Sequence, residues 1–287
     1  MTAVLKHELR SYFHSFTAYV FGAFLLAIVG IGSMLYNLQA AVSNFEYVLS
    51  FGSVVFVVIV PILTMRVLAE ERRQKTDQLL YALPITTTQV ILGKYLALLV
   101  VYLIPLAVIS IYPAIFAQFG DVYLPTSYGS LFAIFVMGAA LIALGVFISS
   151  LTDNQGLAAG IGIAVILFNY YSVSLSEYVS TTAWGSVAAL VVLLLALGAV
   201  IRYLTKNDNL AWGVCLVLAA ILCVVCLVDA STFEGLLPAV MKQLSLFDRF
   251  SAFVNGMFDL TAIVYYLSVI VFFLFLSVQS MEKRRYN

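Results

Sequence analysis

The sequence predicts an all-α fold: a polytopic bundle of about eight membrane-spanning helices with both termini on the cytoplasmic side. Three observations point there. Of 287 residues, 63% are hydrophobic and only 10% charged, and mean hydropathy is +1.08; soluble domains carry about 25% charged residues. The apolar residues fall in runs long enough to cross a bilayer core of about 30 Å, which takes about 20 helical residues. Those runs are apolar all round, whereas membrane β-strands would alternate apolar and polar positions over about ten residues. The formal net charge is zero, so nothing global suggests a nucleic-acid partner.

The elements follow in order. Residues 1–16 form a lead in which Leu5, Leu9, Tyr12, Phe13 and Phe16 share one helical face. Lys6, His7, Arg10 and His14 fall elsewhere, as expected of an amphipathic helix lying in the membrane interface. The run after it is long and lacks a small-residue cleavage site, which argues against a removed signal peptide. Spans are expected at 17–36, 48–69, 95–116, 128–150, 156–175, 185–204, 210–230 and 260–281. With the lead inside, the inner segments hold Lys6, Arg10, Arg66, Arg72, Arg73, Lys75, Lys94, Arg202, Lys206, Lys283, Arg284 and Arg285. Only Lys242 and Arg249 of the fourteen Lys and Arg residues fall outside, which satisfies the positive-inside rule. The whole chain reads as one membrane domain.

Two connections exceed simple turns. The outer one, 231–259, carries Leu237, Val240, Leu244, Phe247, Phe250, Val254 and Phe258 at near-helical spacing. It reads as a helix or amphipathic helical hairpin dipping into the outer interface. The inner one, 70–94, reads "EERRQKTDQLLYALPITTTQVILGK". Leu79, Leu80 and Leu83 line one face of a short helix, and Pro84 ends it. Thr86 and Gln89 make a capping-box pattern that starts the helix entering the third span. A solvated loop needs none of this order, and leucines set among charges suit a groove on another protein.

Other residues are candidate sites. Charges near a membrane midplane suggest function, but Arg66, Lys94 and Arg202 sit at inner edges and Asp229 and Asp259 at outer ones. Arg66 and Lys94 are expected to snorkel to the headgroups. That distribution counts against a proton-coupled carrier. Glu70-Glu71 resembles the glutamate pair of intramembrane metalloproteases, but their histidines lie deep in later helices, and His7 and His14 precede the first span. Cys215, Cys223 and Cys226 share one apolar run and act as small hydrophobes. Gly156-x-x-x-Gly160 permits close helix approach and is assigned to packing within the chain rather than to a dimer seam. Pro61 and Pro105 are candidate kinks. Asn169, Tyr170 and Tyr171 either line a pathway or belong to an outer aromatic belt.

The stretch 70–94 resembles the segment after the second span in permease subunits of bacterial ABC exporters of the type-2 membrane fold. There an acidic-basic cluster precedes Leu-Leu, a proline corner, and Leu/Ile-Gly-Lys entering the third span. "ALIALGVFISSLTDNQGLAAGIG" (140–162) is similar to that family's turn between the fourth and fifth spans, and 250–285 to its last loop and span. The common form has six spans, so 185–230 looks like an added pair.

The resemblance implies a half-transporter of the bacterial plasma membrane that pairs with a second permease subunit, identical or not, and with two separate ATPase subunits. ATP and magnesium would sit on those partners, and this chain would bind no cofactor; Gly93-Lys94 lacks the earlier glycine of a phosphate-binding loop. Residues 70–83 would be the coupling helix. Glu70, Glu71, Arg72, Arg73, Lys75 and Asp77 would make its polar contacts, and Leu79, Leu80 and Leu83 its apolar ones. Asp153, Asn154 and Gln155 are either a second contact with that partner or a tight polar turn with a helix cap. Two further classes stand beside the exporter: a membrane assembly or sensor component that recruits an ATPase without transporting, and a channel or secondary transporter.

Overall fold

The structure, a computed structural model, describes residues 2–76, 85–179 and 235–286, with 185–187, 191–192, 194 and 213 between them. Every described element is helical: α1 Thr2–His14, α2 Phe16–Ser33, α3 Phe45–Ser53, α4 Phe56–Thr64, α5 Ala69–Gln74, α6 Thr87–Ile109, α7 Ile111–Phe116, α8 Leu124–Leu151, α9 Gln155–Tyr178, α10 Leu236–Leu244, α11 Leu246–Val254 and α12 Leu260–Tyr286. A π-helical turn, Met34–Gln39, prolongs α2.

Among the described residues, five helices are long and apolar enough to cross a membrane: Phe16–Gln39, Thr87–Phe116, Leu124–Leu151, Gln155–Tyr178 and Leu260–Arg284. The pair Phe45–Ser53 and Phe56–Gln74, bent by 56°, makes a sixth. These match six of the eight expected spans. The other two, 185–204 and 210–230, lie outside the described residues apart from a few positions, and the three cysteines, Arg202 and Asp229 lie wholly outside them. The bend in the second span falls at residues 53–56, and Pro61 stays within α4.

The chain divides into two compact units, Met1–Tyr170 with Leu246–Asn287, and Tyr171–Ser245. In the second unit, Leu237 of α10 is buried and Leu244 is exposed.

In the first unit α8 is the axis. It is buried along most of its length and touches α3, α4, α6, α11 and α12. Small residues allow that crowding. At Gly138 a Cβ would collide with the phenol of Tyr102, and at Gly145 with the side chain of Thr64. Without a hydrophobic drive between helices in lipid, such close van der Waals packing and interhelical hydrogen bonds hold the bundle. Tyr102 Oη donates to the carbonyl of Ile134 at 2.7 Å and Tyr95 Oη to that of Ala139 at 3.1 Å, joining α6 to α8. Phe24, Leu103, Phe132, Leu267, Val271 and Phe275 are exposed, an apolar exterior suited to lipid.

Three expectations need correction. Tyr12 is buried and Leu5 and Leu9 half-buried, but Phe13 and Phe16 are exposed. The buried face of α1 is rotated toward Glu8, because α1 packs on α6. The outer connection does form two helices, α10 and α11, and Leu246, Phe247, Phe250 and Phe253 of α11 are buried in the bundle core. Asn169 Oδ1 accepts from the Leu246 amide at 2.9 Å, and Tyr170 meets Phe247 edge-on at 5.0 Å. Asn169 and Tyr170 therefore anchor α11, while Tyr171 is exposed. Finally, Gly160 has nothing within 4 Å of where a Cβ would lie, and Gly156 meets only its own turn. No described helix packs on that pair.

Candidate functional site

Many of the bundle's charges lie at one end, which holds α1, the α4–α5 joint, the start of α6, the α8–α9 turn and the last turns of α12; α1 packs there on α6 and α2. The joint is fixed first. Ser149 Oγ of α8 accepts from the amides of Leu68 and Ala69 at 3.1 and 3.2 Å and donates to the carbonyl of Met65 at 3.2 Å. A single hydroxyl thus satisfies backbone groups that the helix ends leave open.

Helix α5 is short for a stated reason. Lys75 adopts φ +57°, and the Thr76 amide returns to the carbonyl of Glu71 at 3.0 Å, the closure of a left-handed helix cap. A continuous helix over 70–83 is therefore not what forms: the chain turns at Lys75. Asp77, Leu79, Leu80, Leu83 and Pro84 lie outside the described residues. Beyond them, Thr86 Oγ1 accepts from the Gln89 amide at 3.3 Å and caps α6, as the Thr-x-x-Gln pattern predicts.

Lys94, two turns into α6, does not snorkel. Its side chain is 2% exposed, and Nζ lies 2.6 Å from Glu8 Oε1 and 2.7 Å from Glu71 Oε1. One ammonium thus joins α1, α5 and α6. A lysine buried without partners would carry a penalty of several kcal/mol, about what two close carboxylates offset. Tyr12, one turn after Glu8 on α1, is buried against the same cluster. Burial first, then the carboxylates of Glu8, Glu71 and Glu70, push its phenol well above the usual tyrosine range. Beside the cluster runs a cavity of about 840 Å³ between α1 and α5, lined by His7, Tyr12, Thr17, Arg66, Glu70 and Gln74 among others. Arg66 reaches across to Thr17 Oγ1 at 3.4 Å.

The expected contact residues of this segment divide between inside and outside. Glu71 is committed to Lys94 and Arg72 is buried; Glu70 is half-exposed, and Arg73 and Lys75 are exposed. At the α8–α9 turn, Asn154 Oδ1 accepts from the amides of Gly156 at 2.9 Å and Leu157 at 3.4 Å, capping α9, which begins at Gln155. The polar turn with a cap is the arrangement formed there. Asp153 pairs with Arg284 at 2.7 Å, and both are more than 40% exposed. Thr87 donates to Glu282 at 2.7 Å, tying α12 to the foot of α6.

Sequence reasoning missed Glu8. It lies one helical turn before Tyr12, on the edge of the apolar face of the lead, and that register was the only available signal. It also missed Glu46, at the opposite end of the bundle in the first turn of α3. Glu46 is 1% exposed; Oε1 accepts from Ser127 Oγ at 2.9 Å, while Oε2 is buried with no hydrogen-bond partner among the described residues. A helix N-terminus contributes up to about 2 kcal/mol to a carboxylate, and a hydrogen bond to a charged group about 1.5–3. Burying an ion costs several kcal/mol or more, so Glu46 is only partly compensated by what surrounds it.

Among the described residues, long apolar helices with an apolar exterior, their charges lying toward the helix ends, are those of an integral membrane protein. A family model described as "ABC-2 family transporter protein" matches residues 31–179, more than half of the chain and the part that holds α5, Lys94 and the α8–α9 turn. The chain belongs to that family, and is the permease subunit of an ABC-type transporter. Its kind of partner is an ABC ATPase. A search of curated proteins finds no match to the chain.

Proposed function

We propose that this chain is the permease half of an ATP-driven exporter in a bacterial plasma membrane, with the Lys94 end of the bundle in the cytoplasm. Two such subunits, identical or paired with a sister, form the pathway. Two separate ATPase subunits, holding ATP and magnesium, drive it through the segment after the second span. The observation that carries this reading is the ion cluster of Lys94, Glu8 and Glu71. Because Glu71 belongs to α5 and Lys94 to α6, a push on α5 reaches the third span through a buried charge contact rather than through a loose loop. The basic residues support the orientation: Lys6, Arg10, Arg66, Arg72, Arg73, Lys75, Lys94, Lys283 and Arg284 lie on the segments gathered at this end, and such residues stay on the cytoplasmic face.

On this reading Arg73 and Lys75, with half-exposed Glu70, make the polar contacts with the ATPase. Glu71 and Arg72 instead hold the handle to the bundle, while Asp77, Leu79, Leu80 and Leu83 supply the rest of the docking surface. Replacing Leu79 and Leu83 together by Asp is expected to abolish co-purification of the ATPase while leaving membrane insertion intact. Undiminished co-purification would remove the coupling role. Cargo-stimulated ATP turnover in liposomes separates an exporter from a component that only recruits an ATPase for mechanical work.

A further inference from the structure

At the end of the bundle opposite Lys94, three loops meet around the buried Glu46. They are the approach to α3, the approach to α8 and the turn after α11, and they border an open cleft of about 370 Å³. Its polar lining includes Ser43, Asn44, Glu46, Asp121, Thr126 and Asn255. Three features of that lining matter together. It contains two carboxylates and no Lys, Arg or His, so its formal charge is −2. Every side-chain donor except the two amide nitrogens is oxygen; no sulfur or imidazole is present. And Glu46, 1% exposed, keeps one carboxylate oxygen without a hydrogen-bond partner among the described residues.

The bland reading is a carboxylate that merely favours a helix N-terminus, as Glu46 does in the first turn of α3. That accounts for an acidic residue near the helix end, where a solvated side chain would serve equally well. It does not account for a buried one with a single hydroxyl donor. A buried anion calls for a positive partner, and none comes from the described residues that line this cavity.

We propose that this cavity is a binding site for a hard divalent cation of the calcium type, with Glu46 and Asp121 as its charged ligands. Amide and hydroxyl oxygens from Asn44, Asn255, Ser43 and Thr126 complete the oxygen set. Hard divalent cations take six or more oxygen ligands, carboxylates and amide carbonyls among them, and retain water where the protein supplies fewer. The cavity leaves room for such waters. Bound there, the ion would tie the α3, α8 and α11 loops to one another. The site is independent of the coupling proposal, since it lies at the other end of the bundle and involves no ATPase contact.

The test uses the full chain, purified in detergent, stripped with chelator, and titrated with calcium chloride while thermal unfolding is followed. Sodium chloride at matched ionic strength serves as control, and equilibrium dialysis with radioactive calcium measures stoichiometry. A saturable rise in Tm is expected, with a half-point at about 10⁻⁴–10⁻³ M, the range of weak extracellular calcium modules, and one ion per chain. Glu46→Gln should abolish both responses. Asp121→Asn, at an exposed position that cannot endanger the core, should weaken affinity by on the order of tenfold or more, and it decides the matter if Glu46→Gln fails to fold. No saturable response, or an equal response in Asp121→Asn, overturns the proposal. So does stabilisation by methylammonium chloride without any by calcium, which would make the cavity an ammonium site.

Discussion

Replacing Lys94 by Met removes the charge while keeping an unbranched side chain of similar reach, and its effect can be worked from the geometry. Lys94 Nζ lies 2.6 and 2.7 Å from two carboxylates whose side chains are 13% and 25% exposed. At an effective dielectric of about 20, each contact is worth about 6 kcal/mol of Coulomb attraction, much of it cancelled by the desolvation of the ammonium. What the substitution changes is the remainder. Glu8 and Glu71 would be left facing each other with no cation between them, and removing one partner of a buried pair typically costs about 3–5 kcal/mol. Residual solvent at Glu71 places the expectation at the lower end, about 3 kcal/mol, or a Tm lower by on the order of 10 °C. Glu8→Gln and Glu71→Gln should each cost less, because Lys94 keeps one carboxylate. The triple variant Glu8→Gln, Glu71→Gln, Lys94→Met should recover much of the single Lys94→Met loss, since no unpaired charge remains. Thermal unfolding in detergent measures the series, and proteolysis near residues 2–14 reports release of α1. If Lys94→Met unfolds within about 0.5 kcal/mol of the natural chain, the range of an ordinary surface substitution, the lysine is hydrated and the clamp argument fails.

Other expectations follow from the same packing. Gly138→Val would drive its side chain into the Tyr102 phenol, and an overpacked core costs about 1–3 kcal/mol; loss of folded yield checks it, and Gly160→Val, in open space, is the matched control. Ser149→Ala would strand the amides of Leu68 and Ala69, at about 1–3 kcal/mol, and should raise hydrogen exchange at those two amides before any global unfolding. Asp153→Asn should change stability by less than about 1 kcal/mol, because its pair with Arg284 is exposed and such pairs contribute little; a larger loss in thermal melts would mean the turn is buried by something more than this chain.

How much was legible in the sequence differs from element to element. Six of the expected spans form where hydropathy places them, because a run of twenty apolar residues has no other way to satisfy its backbone in lipid. The Thr86 cap was readable too, since capping is decided within four residues. Glu8, Lys94 and Glu71 were not, being separated by up to 86 residues and each ordinary at its own place in the chain. A lysine at the foot of a span looks the same whether it reaches headgroups or two glutamates. The turn at Lys75 was equally hidden, since nothing local to a lysine foretells a left-handed backbone.

Composition and the spacing of apolar runs alone determined that this chain is a helical membrane protein, and three short stretches in register pointed to its transporter family. Only the tertiary structure decided which charges face inward. Hydrophobicity is a property of each segment by itself, whereas the partner of a buried charge is chosen by how helices distant in the chain come to lie side by side.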